Sequence, residues 1–567
     1  MRQIAKINMS SSGIIITCAA NEGITHDLLS DVPYIHKNRK RTEYRTSIHN
    51  IDVVLKLLRG IDETNIDTAP PAVQELWYKE MMLRGVLDDL LRNGPVENPV
   101  VNRNLTLKRH QQLGREVAKR IDRYAFFYDT RTGKTPMSLS IINDSPKDKW
   151  LVICPLILIE NAWLEDAATF FPEMNMINCH ADSKAKRIKQ FQKESNVYVT
   201  NVESFVDYKE YFDVMGFTGC IVDESSTMKS NKSKVSNAIV DFAHTVRRFY
   251  LLSGTPAPNG EYEYYQQLRA IDYYCLHQSY TQFKEYFFNN VSFNPQYEKL
   301  QVRPDRRQEL QDMIHTYAMY VDKEDVLTTP GRTFHEEVFK LPDEVKEAYK
   351  QVKDKLYLEI DQSTTITVPS AAAKLNKLNQ LTSGFILDTQ VAKENKFYGE
   401  SNKDWHLLSD YRFRKLQELL DRPGIRGAQV LIWANYHKEF ELISEMLGVN
   451  CRCVYGKTSL DDKNAAIRLF KSKQIQYLVA NPASADKGLT LTNAHISIYF
   501  SLNWSYELFK QSMERIYGDI MKQPLHCEYY IMIAEGTIDR VLYSDVLLGK
   551  GSASAAVLNH LKPGDVI

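Results

Sequence analysis

The sequence has no excess of either charge and no long hydrophobic segment. Lys and Arg together number 71, as do Asp and Glu, so no overall positive field identifies a nucleic-acid partner. A neutral total still allows basic groups to cluster locally, so it does not exclude such a partner. The longest strongly apolar run, about residues 150–159, is roughly half the length that a membrane-spanning helix needs. We therefore expect no membrane contact.

Cysteines are few, and repeats are lacking. The eight cysteines include no Cys-x-x-Cys pair, which favours reduced, buried thiols in a cytoplasmic protein. No repeat of solenoid period is evident. The composition, 43% hydrophobic and 25% charged, is that of an ordinary globular protein. A chain of 567 residues is too long for one core, so about three domains are expected.

Two parts of the chain alternate short apolar runs with helical stretches. Between them, from about residue 260 to 420, the pattern is mainly helical. Short apolar runs between helices are typical of parallel sheets that are covered on both faces. The predicted strands are 125–128, 150–154, 197–200, 220–222 and 249–252 in the first part, and 429–433, 451–455, 477–479, 496–500 and 528–533 in the second.

The first 100 residues form a predicted α+β accessory domain. A strand at 13–18 precedes a basic stretch, 36–45, in which Tyr44 is available to stack on a base. The stretch is either a DNA contact or a solvated turn, and its basic residues are Lys37, Arg39, Lys40, Arg41 and Arg45. Residues 93–99 have the Gly and Pro content of a linker. The predicted domains are thus 1–100, 101–330 and 331–567.

The first chemical signal follows the predicted strand 125–128. The segment Asp129-Thr-Arg-Thr-Gly-Lys-Thr135 joins this strand to a helix, and such a turn presents free backbone N–H groups to an anion. Lys134 is placed to reach the outer phosphates of a nucleotide, and the Thr135 hydroxyl to bind Mg²⁺. The strict phosphate-loop pattern has a Gly where this chain has Tyr128.

Two further predicted strands end in residues that suit the binding of a nucleotide and Mg²⁺. Cys220-Ile-Val222 runs into Asp223 and Glu224, which suit a magnesium ligand and a residue that orients and deprotonates the attacking water. The alternative for these two acids alone is a solvated loop. The strand 249–252 ends in Ser253-Gly-Thr-Pro256, and ligands of open α/β sheets bind where strands end.

Taken together and in order, these segments resemble the motifs of superfamily two helicases, specifically the Swi/Snf-type DNA translocases in a phage-like version. The resemblance runs from about residue 105 to 545. In the first part it is carried by Leu107-Lys-Arg-His-Gln111, the Gly-Lys-Thr loop, Trp150–Leu156, Asn161-Ala-Trp163, Val199–Glu203, Asp223–Ser226 and Ser253–Pro256. In the second part it is carried by Val430–Trp433, Tyr455–Thr458, Ala480–Leu491, Asn503-Trp504, Gln511–Arg515 and Gly536-Thr-Ile-Asp539.

The resemblance implies two tandem RecA-like parallel-sheet lobes with helical insertions, an α/β fold with ATP and Mg²⁺ between the lobes. It implies a DNA-dependent ATPase that moves along duplex DNA, with monomers as the default. The residues implied in catalysis are Lys134, Asp223, Glu224 and Arg515. Those implied in holding ATP are Arg109, Gln111, Thr132, Gly133, Lys134, Thr135 and Gly488, with Thr135 and Asp223 on the metal. Those implied near the DNA backbone are Pro155, Thr200, Ser484 and Trp504.

The final motif and the N-terminal domain both leave alternatives open. The family's final motif carries a second arginine three residues after the first, and Gly518 stands there. Either Gly518 cripples hydrolysis, leaving a nucleic-acid binding protein, or a group such as Lys522 substitutes. A strand-separating DNA or RNA helicase is a further alternative. The N-terminal strand and basic turn resemble the HARP-like module of annealing helicases, which implies branched or forked DNA as a partner. The phage-like motifs imply a bacterial or phage-infected host cell.

Overall fold

The chain forms two compact units, Met1–Phe293 with Leu300–Val326, and Asn294–Lys299 with Leu327–Ile567. The structure is a computed structural model. No helix among the residues that it describes is long and apolar enough to cross a membrane. These residues are 5–10, 13–18, 27, 29–30, 32–51, 53–54, 74–75, 82, 85, 87, 89–90, 92, 94, 100–291, 298, 300–355, 357–359, 365–367, 371–388, 405–484, 491–518 and 523–547.

An antiparallel four-stranded sheet opens the first unit. Its order is β1-β2-β4-β3. The side chains of Ile14 and Ile16 are fully buried, together with Leu29 and Val54, because alternate residues of a strand point to the same face. The strand predicted at 13–18 is confirmed. The strands are β1 Ala5–Ser10, β2 Gly13–Cys18, β3 His36–Lys37 and β4 Glu43–Thr46.

This N-terminal sheet packs on the rest of the first unit. The Nε2 of His36 donates to the carbonyl of Leu276 over 2.9 Å, and the Tyr34 hydroxyl donates to Glu309. Ser47 hydrogen-bonds both Asp272 and the Tyr317 hydroxyl. These contacts attach the N-terminal sheet to the first unit, and its interpretation as a domain of its own stays a prediction. The predicted linker lies outside the described residues except for Gly94.

A seven-stranded sheet forms the centre of the first unit. All its neighbouring strands are parallel, in the order β15-β7-β12-β11-β8-β10-β9. A hairpin, β5–β6, precedes it, and a second hairpin is formed by β13 and β14. The strands are β5 Val100–Asn102, β6 Leu105–Thr106, β7 Arg123–Tyr128, β8 Trp150–Cys154, β9 Met176–Asn178, β10 Val197–Asn201, β11 Gly219–Asp223, β12 Arg248–Leu252, β13 Phe288–Asn290, β14 Leu300–Val302 and β15 Ala318–Val321.

Helices cover both faces of this sheet. In β8, Leu151 and Ile153 belong to one hydrophobic core, and Val152 and Cys154 belong to the other. This strand is therefore apolar on both faces and does not alternate between apolar and polar residues. A π-helical turn, Ile159–Leu164, lies between α3 and α4. The helices are α1 Arg109–Arg120, α2 Lys134–Asn143, α3 Leu156–Leu158, α4 Glu165–Phe170, α5 Lys184–Phe191, α6 Val202–Asp207, α7 Lys209–Val214, α8 Lys234–Ala243, α9 Tyr264–Ile271, α10 Tyr280–Phe287, α11 Arg307–Tyr317 and α12 Lys323–Val326.

A six-stranded parallel sheet forms the centre of the second unit. Its order is β16-β25-β24-β21-β23-β22, and two hairpins, β17–β18 and β19–β20, accompany it. The strands are β16 Arg332–Phe339, β17 Tyr357–Glu359, β18 Thr365–Thr367, β19 Phe385–Leu387, β20 Trp405–Leu407, β21 Val430–Trp433, β22 Cys451–Val454, β23 Tyr477–Ala480, β24 Ile496–Tyr499 and β25 Cys527–Ala534. The helices are α13 Asp343–Lys355, α14 Ala371–Thr382, α15 Tyr411–Leu420, α16 His437–Leu447, α17 Leu460–Lys471, α18 Tyr506–Met513 and α19 Ile538–Val541.

The predicted fold class, two parallel-sheet α/β lobes with additional helices, is confirmed. Each of the ten strands predicted for the lobes is present to within one or two residues at either end. The division into three domains with boundaries at 100 and 330 stays a prediction.

Candidate functional site

The loop between β7 and α2 has the geometry of an anion-binding turn. Arg131 and Gly133 both adopt left-handed backbone conformations, with φ of +64° and +81°, and Gly133 caps the N-terminus of α2. The Lys134 ammonium donates to the carbonyls of Tyr128 and Asp129 over 2.9 and 3.2 Å. These partners hold a cation above the N-terminus of a helix, where backbone N–H groups favour negative ligands.

Two residues of α1 donate hydrogen bonds to the backbone carbonyls of this loop. The Nε2 of His110 donates to the Thr132 carbonyl over 2.7 Å. The amide of Gln111 donates to the carbonyls of Thr132 and Gly133 over 3.0 and 3.1 Å. A Cβ on Gly133 would lie 2.0 Å from Gln111 Nε2 and would displace that amide, and the φ of +81° favours glycine in any case. The role of His110, whose ring is buried beneath the loop, was not predicted.

Gln111 and Arg109 were predicted to touch the nucleotide. Both ends of the Gln111 amide have protein partners, since its Oε1 accepts from the Lys108 N–H over 2.8 Å. Arg109 is exposed, and its guanidinium lies beside Gly94, where a Cβ would be 2.6 Å from Nη2. Contacts of these two residues with ATP stay predictions.

Asp223 and Glu224 lie where β11 ends, beside the phosphate loop. Asp223 is buried, its Oδ1 accepts from the Glu224 N–H and its Oδ2 from the Trp163 indole, each over 3.0 Å. Burial, followed by the neighbouring Glu224 charge, raises the pKa of Asp223 to about 6, while the Lys134 ammonium opposes the rise. A carboxylate in this setting gains from a nearby cation.

Glu224 has an unusual backbone and an unpaired acceptor. Its φ is +58°, a left-handed conformation that costs a non-glycine residue about 1 kcal/mol or more and is concentrated at functional sites. Its Oε2 is buried and accepts no hydrogen bond from any described residue. An acceptor of this kind suits a water molecule that is oriented for attack.

The third predicted loop packs directly on the first. A Cβ on Gly254 would lie 3.2 Å from the Thr130 nitrogen. Gln267 of α9 is fully buried, accepts from the Ser225 hydroxyl and donates to the Pro256 carbonyl, each over 2.7 Å. Gln267 therefore joins the loop after Glu224 to the Ser-Gly-Thr-Pro loop. This residue was not predicted, because glutamine in a helix carries no local signal of such a contact.

The three loops meet because β7, β12 and β11 are adjacent and parallel, so their carboxyl ends share one edge of the sheet. The residues present fit a nucleotide with Mg²⁺. The phosphate cradle has a left-handed glycine at 133. Among the described residues, the Lys134 ammonium hydrogen-bonds only backbone carbonyls, and Glu224 Oε2 accepts no hydrogen bond. Thr135 and Asp223 are the residues that would hold the metal.

The predicted DNA-facing residues of this lobe lie at strand ends but differ in exposure. Pro155 is half-buried at the start of α3, next to an exposed Leu156. Thr200 is fully buried, and its hydroxyl donates to the Asn201 carbonyl over 3.4 Å. Their roles stay predictions.

The basic turn between β3 and β4 is ordered by Asn38. Its side-chain oxygen accepts from the N–H groups of Thr42 and Glu43 over 2.9 and 3.3 Å, and its carbonyl accepts from the Arg41 N–H. Tyr44 is buried in the core of the sheet, so the interpretation of this ring as a base-stacking surface is wrong. The exposed side chains of the turn are Lys37, Arg39, Lys40 and Arg41.

The final motif in the second unit is not a continuous helix. Helix α18 ends at Met513, and Arg515 lies in a turn where its N–H donates to the Ser512 carbonyl over 3.1 Å. Positions 515 and 518 therefore do not lie on a continuous helix. Arg515 and Gly518 are both buried.

Four other predicted residues belong to this unit. Ser484 is half-buried in a turn, with its N–H donating to the Asn481 carbonyl over 2.9 Å. Trp504 packs against the hydrophobic core of the lobe. Gly488 and Lys522 lie outside the described residues.

In the first unit, a phosphate cradle, the adjacent Asp223 and Glu224 and a parallel sheet define a nucleotide-binding lobe of the helicase class. A family model described as SNF2-related domain matches residues 23–384, and one described as helicase conserved C-terminal domain matches residues 411–517. The first covers more than half of the chain, which therefore belongs to the SNF2-related family of superfamily two, as its motifs indicate.

Similar proteins come from phage, animals and archaea. Protein p41 of Acyrthosiphon pisum secondary endosymbiont phage 1 is 24% identical over 429 residues, 72% of this chain and 89% of that protein. Chromodomain-helicase-DNA-binding protein 1-like from Danio rerio is 23% identical over 73% of this chain, which spans only 40% of that relative. The solved Sulfolobus solfataricus SWI2/SNF2 ATPase core in complex with dsDNA is 18% identical, with a TM-score of 0.38, and the match covers 82% of this chain and 97% of that chain.

Proposed function

We propose that the chain is a DNA-dependent ATPase that uses ATP hydrolysis to move along double-stranded DNA. The observation that carries this proposal is the cluster of Lys134, Asp223 and Glu224 at one edge of a parallel sheet, where Glu224 Oε2 has no hydrogen-bond partner among the described residues. Membership of the SNF2-related family supports the motor, and the names of its animal relatives, which include a helicase and DNA-binding protein, support DNA as the track.

Each residue of the cluster has a distinct role in hydrolysis. Lys134 binds the outer phosphates and neutralises part of their charge. Thr135 and Asp223 would hold Mg²⁺, which would supply further neutralisation. Glu224 accepts a proton from the attacking water, so that ATP and water give ADP and phosphate. Arg515 has the proposed role of stabilising charge on the transferred phosphate.

Contacts with DNA are proposed to be mainly with phosphates. The net charge is zero, so binding depends on local groups such as the exposed side chains of the basic turn. We propose that this turn adds a preference for forked or branched DNA. Two observations support this proposal: the turn has an ordered geometry, and its four basic side chains are exposed.

ATP hydrolysis measured with five different additions tests the proposal. These are no polynucleotide, single-stranded DNA, duplex DNA, forked DNA and RNA. Duplex or forked DNA should give the largest stimulation. Stronger stimulation by single strands or RNA would instead support a strand-separating helicase. Lys134→Ala in every arm is the control, because residual hydrolysis there would come from a contaminating enzyme.

A binding protein with a lapsed motor is the second candidate, and Gly518 favours it. The family's final motif has an arginine at this position, and such an arginine can stabilise charge on the transferred phosphate during hydrolysis. Glycine has no charge with which to do this. DNA binding without hydrolysis in the parent chain would support this candidate. If Gly518→Arg then restores turnover, the missing arginine is the cause. Because Gly518 is buried, thermal unfolding of this variant must be measured alongside.

A further inference from the structure

The metal-binding carboxylate of the proposed site is held by an indole. Trp163 is completely buried, and its Nε1 donates to Asp223 Oδ2 over 3.0 Å. The other oxygen of Asp223 accepts from the Glu224 N–H. An indole N–H is a donor only, so both contacts favour the ionised carboxylate and fix the plane in which its remaining lone pairs point.

Trp163 reaches this position from an unusual element. It lies in the π-helical turn Ile159–Leu164, which follows α3 and therefore begins a few residues after β8 ends. A π turn contains one more residue than an α turn, and such turns occur frequently at functional sites. Adding one residue rotates the following side chains by about 100° around the helix axis. The π turn thus sets the direction of the indole.

The opposite side of the same short segment is exposed. Leu156, Glu160 and Asn161 lie at the surface, next to Pro155, which was predicted to lie near a DNA backbone. Trp163 and Ile159 are buried. One element of ten residues, 155–164, therefore has an exposed face on one side and, on the other, a buried indole that donates to the Asp223 carboxylate.

We infer that Trp163 is a positioning residue through which a polynucleotide bound at the exposed face of residues 155–161 orients the Asp223 carboxylate for Mg²⁺–ATP. This inference rests on the proposed function and describes the regulation of that same site. A shift of the segment on DNA binding moves the indole, and the indole moves the carboxylate that it holds. Stimulation of hydrolysis by DNA then depends on a hydrogen bond, not only on the presence of the ring.

The chain offers a matched control in Trp150. It is also completely buried in the same lobe, and its Nε1 has no hydrogen-bond partner among the described residues. Trp150→Phe and Trp163→Phe both remove one ring of an indole from a packed core. Only the second removes a donor from Asp223.

Two readouts are compared for the parent and both variants. The first is binding of a fluorescent, non-hydrolysable ATP analogue with Mg²⁺ and with EDTA. The second is steady-state ATP hydrolysis with no DNA and with saturating duplex DNA.

For Trp163→Phe, we expect the affinity for the analogue in EDTA to be unchanged. The gain in affinity that Mg²⁺ provides should fall by about tenfold or more, the loss typical of a hydrogen bond to a charged group. The stimulation of kcat by DNA should fall by a similar factor, with less change in KM for DNA-free hydrolysis. Trp150→Phe should resemble the parent both in the gain in affinity from Mg²⁺ and in the stimulation of kcat by DNA.

The outcomes separate the inference from the proposed function. If Trp163→Phe keeps both the Mg²⁺ gain and the DNA stimulation, or if Trp150→Phe loses them equally, the positioning role is overturned. If the Mg²⁺ gain is lost but the DNA stimulation is intact, the coupling is overturned. A parent chain without DNA-stimulated hydrolysis contradicts the proposed function, while the binding readout still tests the indole.

A second variant covers loss of folding in Trp163→Phe, which circular dichroism would reveal. Benzothienylalanine at position 163 has the size and shape of tryptophan, with sulfur in place of the N–H group. It should give the same loss as phenylalanine. Parent-like values for this folded variant would overturn the inference.

Discussion

Arg412 and Asp539 form an ion pair that is completely buried in the second lobe. The Arg412 Nη1 donates to Asp539 Oδ2 over 2.8 Å, and both side chains have no exposed area. Asp539 also accepts from the Thr382 hydroxyl and the Ala534 N–H, each over 3.1 Å. The closing Gly-Thr-Ile-Asp motif therefore joins α19 to the end of β25, to α14 and to α15.

Replacing one partner of this pair should destabilise the second lobe strongly. Asp539→Ala leaves the Arg412 guanidinium buried without its counter-charge, which typically costs about 3–5 kcal/mol. Urea unfolding followed by circular dichroism measures the change. The control is Asp410→Ala, which breaks the exposed pair with Arg414 and should have little effect. Equal midpoints for the two variants would contradict the structural role of the motif.

Glu224 should be essential for turnover and costly for stability. Glu224→Gln should bind ATP like the parent but hydrolyse it about 10²–10⁴ times more slowly, since the amide accepts no proton. Glu224→Gly should also be inactive, yet melt at a higher temperature without ligand, because glycine adopts the φ of +58° without strain. Nucleotide binding, turnover and thermal melting are measured for both. Parent-like turnover in Glu224→Gln would mean that another group is the general base.

Docking of the N-terminal sheet should weaken in acid. Burial, and to a lesser extent Arg269, hold the pKa of His36 below its usual 6.5, although the Leu276 carbonyl and Asp272 favour the proton. The rings of Tyr273 and Tyr274 complete its surroundings. Nearby His277, whose pKa burial lowers to about 4, acts in the same direction. A lowered folded pKa means that the contribution to stability is present above pH 6.5 and is lost as the pH falls below it.

Limited proteolysis and thermal melting between pH 8 and pH 5 measure this loss. Cleavage near residues 13–46 should accelerate as the pH falls. His36→Gln should flatten the profile, because an amide can donate to the Leu276 carbonyl at any pH in this range. A parent profile without slope, or a variant with the same slope, would show that His36 does not control docking.

The basic turn should contribute to fork binding and not to the motor. Replacing Lys37, Arg39, Lys40 and Arg41 by Ala should reduce the preference for forked over plain duplex DNA and leave the maximal ATPase rate on saturating DNA unchanged. The slope of log affinity against log salt should fall by about 0.9 for each phosphate that the variant no longer neutralises.

A matched variant removes four exposed lysines elsewhere in the same unit, Lys184, Lys186, Lys189 and Lys193. It should bind both DNA forms like the parent. Equal losses in the two variants would show a general charge effect, and no loss in either would make the turn structural.

Much of the lobe architecture could be predicted because its central strands are apolar on both faces. The strands that were missed lie at sheet edges. Strand β16 reads Arg-Thr-Phe-His-Glu-Glu-Val-Phe and is mostly exposed, so it has no apolar run to recognise. Strand β9 has only three residues, and β15 follows a helix without a break in pattern.

The phosphate loop and the two acids could be predicted because each occupies a short segment after a strand. The contacts that support them could not, because they join residues far apart in sequence. Trp163 was noticed only through a family motif, and nothing local connects it to Asp223, 60 residues away.

The contacts of the N-terminal sheet also constrain the order in which the chain assembles. Tyr34, His36 and Ser47 find partners 275, 240 and 270 residues later. At about 5–20 residues per second, a ribosome needs on the order of 10 to 60 s to deliver those partners. During that interval the sheet has only its own small core of Ile14, Ile16 and Tyr44. The first segment to be synthesised therefore reaches its final position only after residues 272–317 have been made, and a nascent chain released before residue 272 would leave it undocked.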